Sequence, residues 1–462
     1  MPVRRAISLT TGAAVILCSA AVGFRSYAAT TGPAGRPQAT IVARPAGPGI
    51  DYQALGLEDC LALARKHNPI LAGASERIRE LQAGYRAAKS EYFPRLALTS
   101  FYERANPDRL SPAGALTTVL LFKDAAWAGV SGKQVLYDGR RTYSGVRAAK
   151  KGVEAQEQEV LRTADEVAFA VTEAFYRLVE AKENLAVAAE ALQQRREFAA
   201  LSEAFFKAGK VTRLDSFRAA SQVAEAEQAR VEAEDATLLA KEILARTAGL
   251  EESVSVDIIG CLPSRVEPAP DIRSLWQEAS QANPEIRRLD LEIERSKNLI
   301  KAVRGAYFPE ISLQGSIGVR HYDIAGTKGE WLAGVFLEWP LFEGGLTRAR
   351  VAEASSQSLQ LTEQRRAGLD ALKSDLVAAW RDQEDAYKGF LTAGLTVRTN
   401  EEAYDSAKAL YRSGKAVGLD VLQAQVDLTR SRFDSIRYAV AYQISRARIR
   451  QIVGSGPSEP GL

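Results

Sequence analysis

From Gly139 to about Lys207, apolar residues return at seven-residue intervals. Val171, Leu178, Leu185, Leu192, Ala199 and Phe206 form one series, and Val167, Ala174, Ala181 and Ala188 a second. No proline interrupts the stretch, so the spacing predicts a continuous helix with a coiled-coil seam. At about 1.5 Å of rise per residue it is roughly 100 Å long, too long for one globular core, and it needs parallel neighbours. The chain supplies one. Between Gly344 and Tyr411, Leu372, Ala379, Ala386 and Ala393, flanked by Leu376, Phe390, Val397, Tyr404 and Tyr411, repeat the pattern 205 positions on.

Ahead of each long helix the period falls to two. Ile311, Leu313, Gly315, Ile317 and Val319 alternate with Ser312, Gln314, Ser316, Gly318 and Arg320, and Leu96 and Leu98 begin the counterpart. This pattern gives a strand with one apolar and one polar face. In the following strand Trp331, Ala333, Val335, Leu337, Trp339 and Leu341 share a face, and Trp127 to Tyr137 is the equivalent segment. Trp331 and Trp339 are eight residues apart, about 27 Å along a strand and about 19 Å across a bilayer at a 45° tilt, which suits two aromatic girdles. Trp127, Trp331 and Trp339 are therefore the expected membrane-interface residues.

Two landmarks establish a duplication. Asn68-Pro69 returns as Asn283-Pro284, and Tyr92-Phe93-Pro94 as Tyr307-Phe308-Pro309, each 215 residues later. Asparagine before proline is a helix N-cap with proline in the first turn. The first repeat, 54–270, is expected to hold strands at about 95–106 and 126–137, a long helix at about 140–207 and a helix at about 213–249. The second, 271–455, holds strands at about 310–321 and 330–342, a long helix at about 344–412 and a helix at about 418–453. The offset falls from 215 to 205 between the strands, so the first repeat carries ten extra residues around Asn106 to Asp124, a longer loop at the strand tips. The helices at 69–90 and 213–249 together nearly match one long helix, which predicts that they meet end to end. Gly209 and Gly414, each followed by lysine, fit left-handed helix C-termini.

Residues 1–28 read as a secretory signal peptide: Arg4 and Arg5, an apolar run to Phe24, and Ser26-Tyr27-Ala28 before cleavage. The competing readings are a retained anchor, for which the run is short, and lipidation at Cys18, where Leu17 replaces the expected small residue. Residues 29–53 are a Pro/Gly-rich leader and 456–462 a flexible tail. No later stretch approaches the ~20 apolar residues of a spanning helix, so membrane insertion must use strands. The net charge of +3 draws the chain to no nucleic acid. Cys60 and Cys261 are compatible with one disulfide or with two buried thiols. With His67 and His321 the sole histidines, no metal set, cofactor loop or catalytic constellation is assembled.

Four strands cannot close a barrel, and lipid tolerates no open strand edge. Several chains must share one: two give eight strands with a filled interior, and three give twelve with a lumen. The duplicated plan, the Trp339-Pro340-Leu341-Phe342-Glu343-Gly344-Gly345 run, and Tyr411-x-x-Gly414 followed by Asp420-Val421-Leu422 resemble the TolC-like outer-membrane efflux proteins over residues 54–455. The resemblance implies a mainly α fold with a β-barrel part, a homotrimer whose twelve strands form one barrel in the outer membrane of a Gram-negative bacterium, continued by a coiled-coil tunnel through the periplasm. It further implies passive export of cargo delivered by a periplasmic adaptor and an inner-membrane pump of RND, ABC or MFS type, with no cofactor.

By the same resemblance Asp215 and Tyr411 hold the tunnel entrance closed, Asp420 contributes to a ring of carboxylates, and Gly209, Lys210, Gly414 and Lys415 form adaptor contacts. Ala416 and Gln423 depart from the family pattern, where an arginine and an acidic residue serve. The competing reading makes Asp215 and Asp420 first-turn carboxylates favoured by the helix dipole. The competing function is a soluble periplasmic coiled-coil adaptor or scaffold; an exported enzyme lacks a catalytic constellation.

Overall fold

A computed structural model describes residues 52–104, 124–250, 256–263, 265–322 and 326–454. The signal peptide, Cys18, most of the leader, all but Asp124 of the extra tip loop, and the tail lie outside the described residues. In chain order the elements are β1 (Tyr52–Leu55), α1 (Leu57–His67), α2 (Pro69–Ser90), β2 (Arg95–Arg104), β3 (Asp124–Tyr137), α3 (Arg141–Lys207), α4 (Arg213–Thr247), β4 (Val256–Ile258), α5 (Ile272–Ala282), α6 (Pro284–Arg304), β5 (Glu310–Tyr322), β6 (Gly326–Glu338), α7 (Leu346–Arg412) and α8 (Gly418–Val453). Among the described residues no helix is long and apolar enough to cross a membrane.

Both long helices have 67 residues. Along α3, Val167, Val171, Ala174, Leu178, Ala188 and Leu192 are buried, as the seven-residue pattern requires. The helix packs against α4, α2, α6 and α8, while α7 packs on α8 and α6. Two cores occupy equivalent places in the repeats. One gathers Ala64, Leu71, Val167, Val171, Ala174 and Leu244; the other has Ala279, Ile286, Leu372, Leu376, Ala379 and Ile449 at the corresponding positions. The first is larger: the short parallel pair β1–β4, which the sequence pattern does not announce, adds Val256 and Ile258, and Leu178 and Val179 stand where the second repeat has Gln383 and Glu384.

The end-to-end joints are built by the two Asn-Pro caps. Asn68 Oδ1 accepts from the Ile70 amide at 2.9 Å, while its Nδ2 donates to the Thr247 carbonyl at the end of α4 at 3.0 Å. In the second repeat Asn283 Oδ1 accepts from Glu285 and Ile286, and its Nδ2 donates to the Ile452 carbonyl near the end of α8 at 2.9 Å. One amide thus satisfies the open N-terminus of one helix and the open C-terminus of another. Gly249 and Gly454, both at φ +75°, let the chain turn against these caps; a Cβ on Gly249 would sit 2.6 Å from the His67 carbonyl oxygen.

Entry into α3 is equally tight. Gly139 has φ +66°, and a Cβ there would lie 2.4 Å from the Gly305 carbonyl oxygen. Asp138 Oδ2 accepts from the Thr142 amide at 2.7 Å; in the second repeat the equivalent Glu343 accepts from the Thr347 hydroxyl instead. The long helices consequently begin at Arg141 and Leu346, one and two residues later than the sequence pattern suggests. Cys60 is buried and Cys261 exposed, both as free thiols, so the expectation that both are buried is corrected at Cys261. Burial, with Asp59 adding to it, pushes the Cys60 thiol up to about 11.

Candidate functional site

Two regions carry the predicted functional residues: the strand sheet and the tips of the helical hairpins. The sheet is antiparallel with order β2-β3-β5-β6, which among the described residues leaves one side of β2 and one side of β6 without a strand partner. Directly paired residues share a face. Leu98 pairs with Val130, Val130 with Ile317, and Ile317 with Trp331. Leu96, Leu313, Val335 and Leu337 fall on that same face by the same register. It is apolar and open: Leu98 is 81 %, Trp331 77 % and Ile317 67 % exposed. The reverse face carries Ser312, Gln314, Ser316, Arg320, Glu330 and Lys133.

Trp127 is on the reverse face, which corrects its assignment to a membrane girdle. It pairs with Arg320 and lies three residues from Val130, so it points away from the Trp331 side. Aligning Trp127 with Trp331 between the repeats hid this, because the register, and not the alignment, decides the face. Trp339 lies one residue beyond the end of β6 rather than within it; its indole donates to the Tyr307 carbonyl at 3.2 Å, at the base of the sheet. Glu310, at the start of β5, ties the sheet to the helices, accepting from Lys133 at 2.9 Å and from Arg141 at 2.6 Å.

At the tips, Gly209 (φ +73°) and Gly414 (φ +75°) close the two hairpins. The Gly209 and Lys210 amides donate to the Phe206 and Phe205 carbonyls, and the Gly414 and Lys415 amides to those of Tyr411 and Leu410, the same left-handed C-terminal motif twice. Lys210 lies with its ammonium 5.3 Å from the Phe205 ring centroid.

Asp215 and Asp420 sit at the third position of α4 and α8; Asp215 closes a capping box with Thr212, while at Val417, which has no side-chain acceptor, Asp420 makes only the return half. Asp215 Oδ2 accepts from the Thr212 amide at 3.1 Å and its hydroxyl at 2.7 Å; Asp420 Oδ2 accepts from the Val417 amide at 3.3 Å. Within one chain both carboxylates are therefore helix-capping groups. Ser216 links the two arms of the first hairpin through Glu203 at 2.6 Å, and that hydroxyl, with Lys207 nearby, holds the Glu203 carboxyl below its usual range.

Tyr411 does not meet Asp215 in the single chain. It is 3 % exposed, its ring 5.1 Å from Phe198 and 5.4 Å from Phe205, in a cluster with Ala219, Val421 and Leu428. Its hydroxyl is buried without a partner, as is that of Ser202. Farther from the tips, Arg432 joins the hairpins by reaching Glu190 at 2.7 Å and Glu401 at 2.8 Å. The sequence pattern offered no signal for this link beyond charge, which is common along solvated helix faces.

The model of the family described as outer membrane efflux protein matches residues 60–250 and 275–455, both repeats of the chain. The chain belongs to the outer membrane efflux protein family. It is 26% identical over 383 residues to the outer membrane efflux protein BepC of Brucella suis, covering 80% of this chain and 79% of that one. It is 28% identical over 308 residues to the outer membrane protein OprJ of Pseudomonas aeruginosa, covering 60% of this chain and 58% of that one. Among solved structures, the open state of the Neisseria gonorrhoeae MtrE outer membrane channel superposes with a TM-score of 0.73 at 20% identity, covering 87% of this chain and 89% of that one. The Campylobacter jejuni CmeC outer membrane channel gives 0.74 at 17% identity, covering 87% and 86%. This outer membrane efflux protein is thus a channel of the outer membrane with its helical part in the periplasm, as the resemblance implies. The family is one of transport proteins.

Proposed function

We propose that three copies of the chain close one twelve-stranded barrel, so that the helices of the trimer enclose a tunnel giving cargo a passive route across the periplasm and out. One observation carries this reading: a four-stranded sheet with two unpaired edges, apolar on one face and polar on the other. In lipid an open edge leaves backbone groups unsatisfied at several kcal/mol each, and only other copies of the same sheet can pair β2 with β6 in a closed ring. Twelve strands leave a lumen where eight fill it. Trp331, near the strand tips, and Trp339, at the base, then mark the two membrane interfaces, and lipid contacts the apolar face between them.

The hairpin tips are the entrance. The second oxygen of Asp215 is left to bond across protomers, and Tyr411, buried against Phe198 and Phe205, fixes the packing of the two hairpins beside it, which supports a closing role for both. Asp420 is exposed beside the same opening. Gly209, Lys210, Gly414 and Lys415 form the outermost turns and are the surface a periplasmic adaptor meets, with an inner-membrane pump supplying the energy.

The test is cross-linking. With Cys60 and Cys261 replaced, cysteines at Leu98 in β2 and Val335 in β6, shifted residue by residue to find the register, are expected to give a covalent trimer on oxidation in membranes. Failure of every β2–β6 pair to link different copies would refute the shared barrel.

A further inference from the structure

We propose that the polar face of the sheet carries a binding platform for planar aromatic anions, built on Trp127. The inference rests on the barrel reading above, which turns this face toward the lumen. One row of directly paired residues crosses all four strands: Phe101 with Trp127, Trp127 with Arg320, and Arg320 with Lys328. The next row on the same face is Thr99, Gly129, Gly318 and Glu330. Two adjacent glycines leave a bare floor, and the indole lies on it: a Cβ at Gly129 would come within 2.7 Å of Trp127 Cζ2.

The ring is flanked. Across the glycine row stands Glu330, fixed by Arg320 Nε at 2.8 Å and Nη2 at 2.6 Å. Phe101 stands beside the indole with ring centroids 6.2 Å apart and planes 25° from parallel. An aromatic ring immobilised before a ligand arrives loses little entropy on stacking. The face also carries Leu332 and Phe336 among its Ser, Gln and charged residues, but at this level Phe101 and the two glycines leave the indole as the aromatic surface beside the charged row.

Charge selects the ligand. Arg320 is engaged by Glu330, and Lys328, exposed at the end of the same row, is the cation that a ligand lying along the row meets. Three copies around a lumen repeat this level two rows from the β5–β6 hairpin end, where Tyr322 pairs with Gly326. A flat aromatic ring stacks on the indole while its anionic group meets Lys328; an aliphatic anion lacks the stacking and a planar cation meets like charge.

The experiment uses the full-length protein in planar bilayers with 1-pyrenesulfonate, hexanesulfonate and N-methylacridinium as probes. Pyrenesulfonate is expected to interrupt the current with residence times at least about tenfold longer than hexanesulfonate, in line with stacking on one aromatic group. Trp127→Leu should bring its residence to the hexanesulfonate level, and Phe101→Leu and Lys328→Gln should each shorten it. Equal residence for the two sulfonates, no change in Trp127→Leu channels, or longer residence for N-methylacridinium overturns the platform. Conducting channels that show no selective block refute the platform alone, whereas a protein that forms no channel at all refutes the barrel reading with it.

Discussion

Replacing Asp165 with asparagine should stabilise the protein at neutral pH. Asp165 lies on α3, 9 % exposed, in the wall of a cavity of about 870 Å³. The nearest arginines are occupied with other carboxylates, Arg162 with Glu159 and Glu166, and Arg288 with Glu285, and none of the ion pairs on this stretch of α3 includes Asp165. Burial, with the Glu166 charge adding to it, raises its carboxyl from the ordinary 3.8 to about 6. That gap of about two pH units corresponds to about 3 kcal/mol per chain as an upper bound, and water at the cavity rim brings the expectation to about 1–3 kcal/mol. The sign follows from linkage. Between pH 4 and 6 the folded chain holds more protons than the unfolded one, so stability falls as pH rises through this window and is lowest above it. Denaturant unfolding of detergent-solubilised protein at pH 5 and pH 7.5 checks this. The wild type should lose stability on going to pH 7.5, and Asp165→Asn should lose less and exceed the wild type there. An Asp165→Asn protein less stable than the wild type at pH 7.5 would refute the reasoning, since it would mean that the ionised carboxylate has a partner.

Asn283→Ala should cost about 1–2 kcal/mol in unfolding experiments, and more than Asn68→Ala, because its bond to Ile452 is buried and that to Thr247 only partly so; equal, negligible losses would discount the joints. Gly139→Ala should be markedly worse than Gly344→Ala: both need a positive φ, but only Gly139 faces a backbone oxygen, at 2.4 Å. Asp215→Asn keeps an oxygen for the Thr212 amide and removes the charge, so a rise in single-channel conductance with unchanged thermal stability assigns the carboxylate to the entrance, while lost stability with unchanged conductance assigns it to capping. Tyr411→Phe removes an unpaired buried hydroxyl and should leave the stability of the hairpin unchanged or slightly higher in thermal unfolding; a clear loss of stability would show that the hydroxyl has a partner.

Elements were legible where periodicity was long or duplicated. The burial of Val171, Leu178 and Leu192 follows the seven-residue spacing, the Asn-Pro pairs gave both helix starts, and the summed helix lengths gave the end-to-end joint. The joint chemistry was not legible, because the second bond of each asparagine goes to a residue 169 or 179 positions away. β1 and β4 escaped notice for the same reason: four and three residues carry no period, and their pairing is set by the core beneath. Trp127 was misplaced because adjacent faces of a strand look alike when one residue of register is unknown, and the intervening glycines Gly129 and Gly132 blur the alternation. At the tips the glycines and lysines were placed by turn chemistry, whereas the local cap made by Asp215 and the aromatic packing of Tyr411 depend on neighbours no spacing rule names.

The central claim is that the two open sheet edges are closed by further copies of the chain. Electron microscopy of protein extracted from membranes in detergent tests it most directly. Hollow particles with threefold symmetry, a detergent belt around one end and a tube comparable to the roughly 100 Å of a 67-residue helix are the predicted result. Single chains without a belt, or solid particles released without detergent, would contradict it.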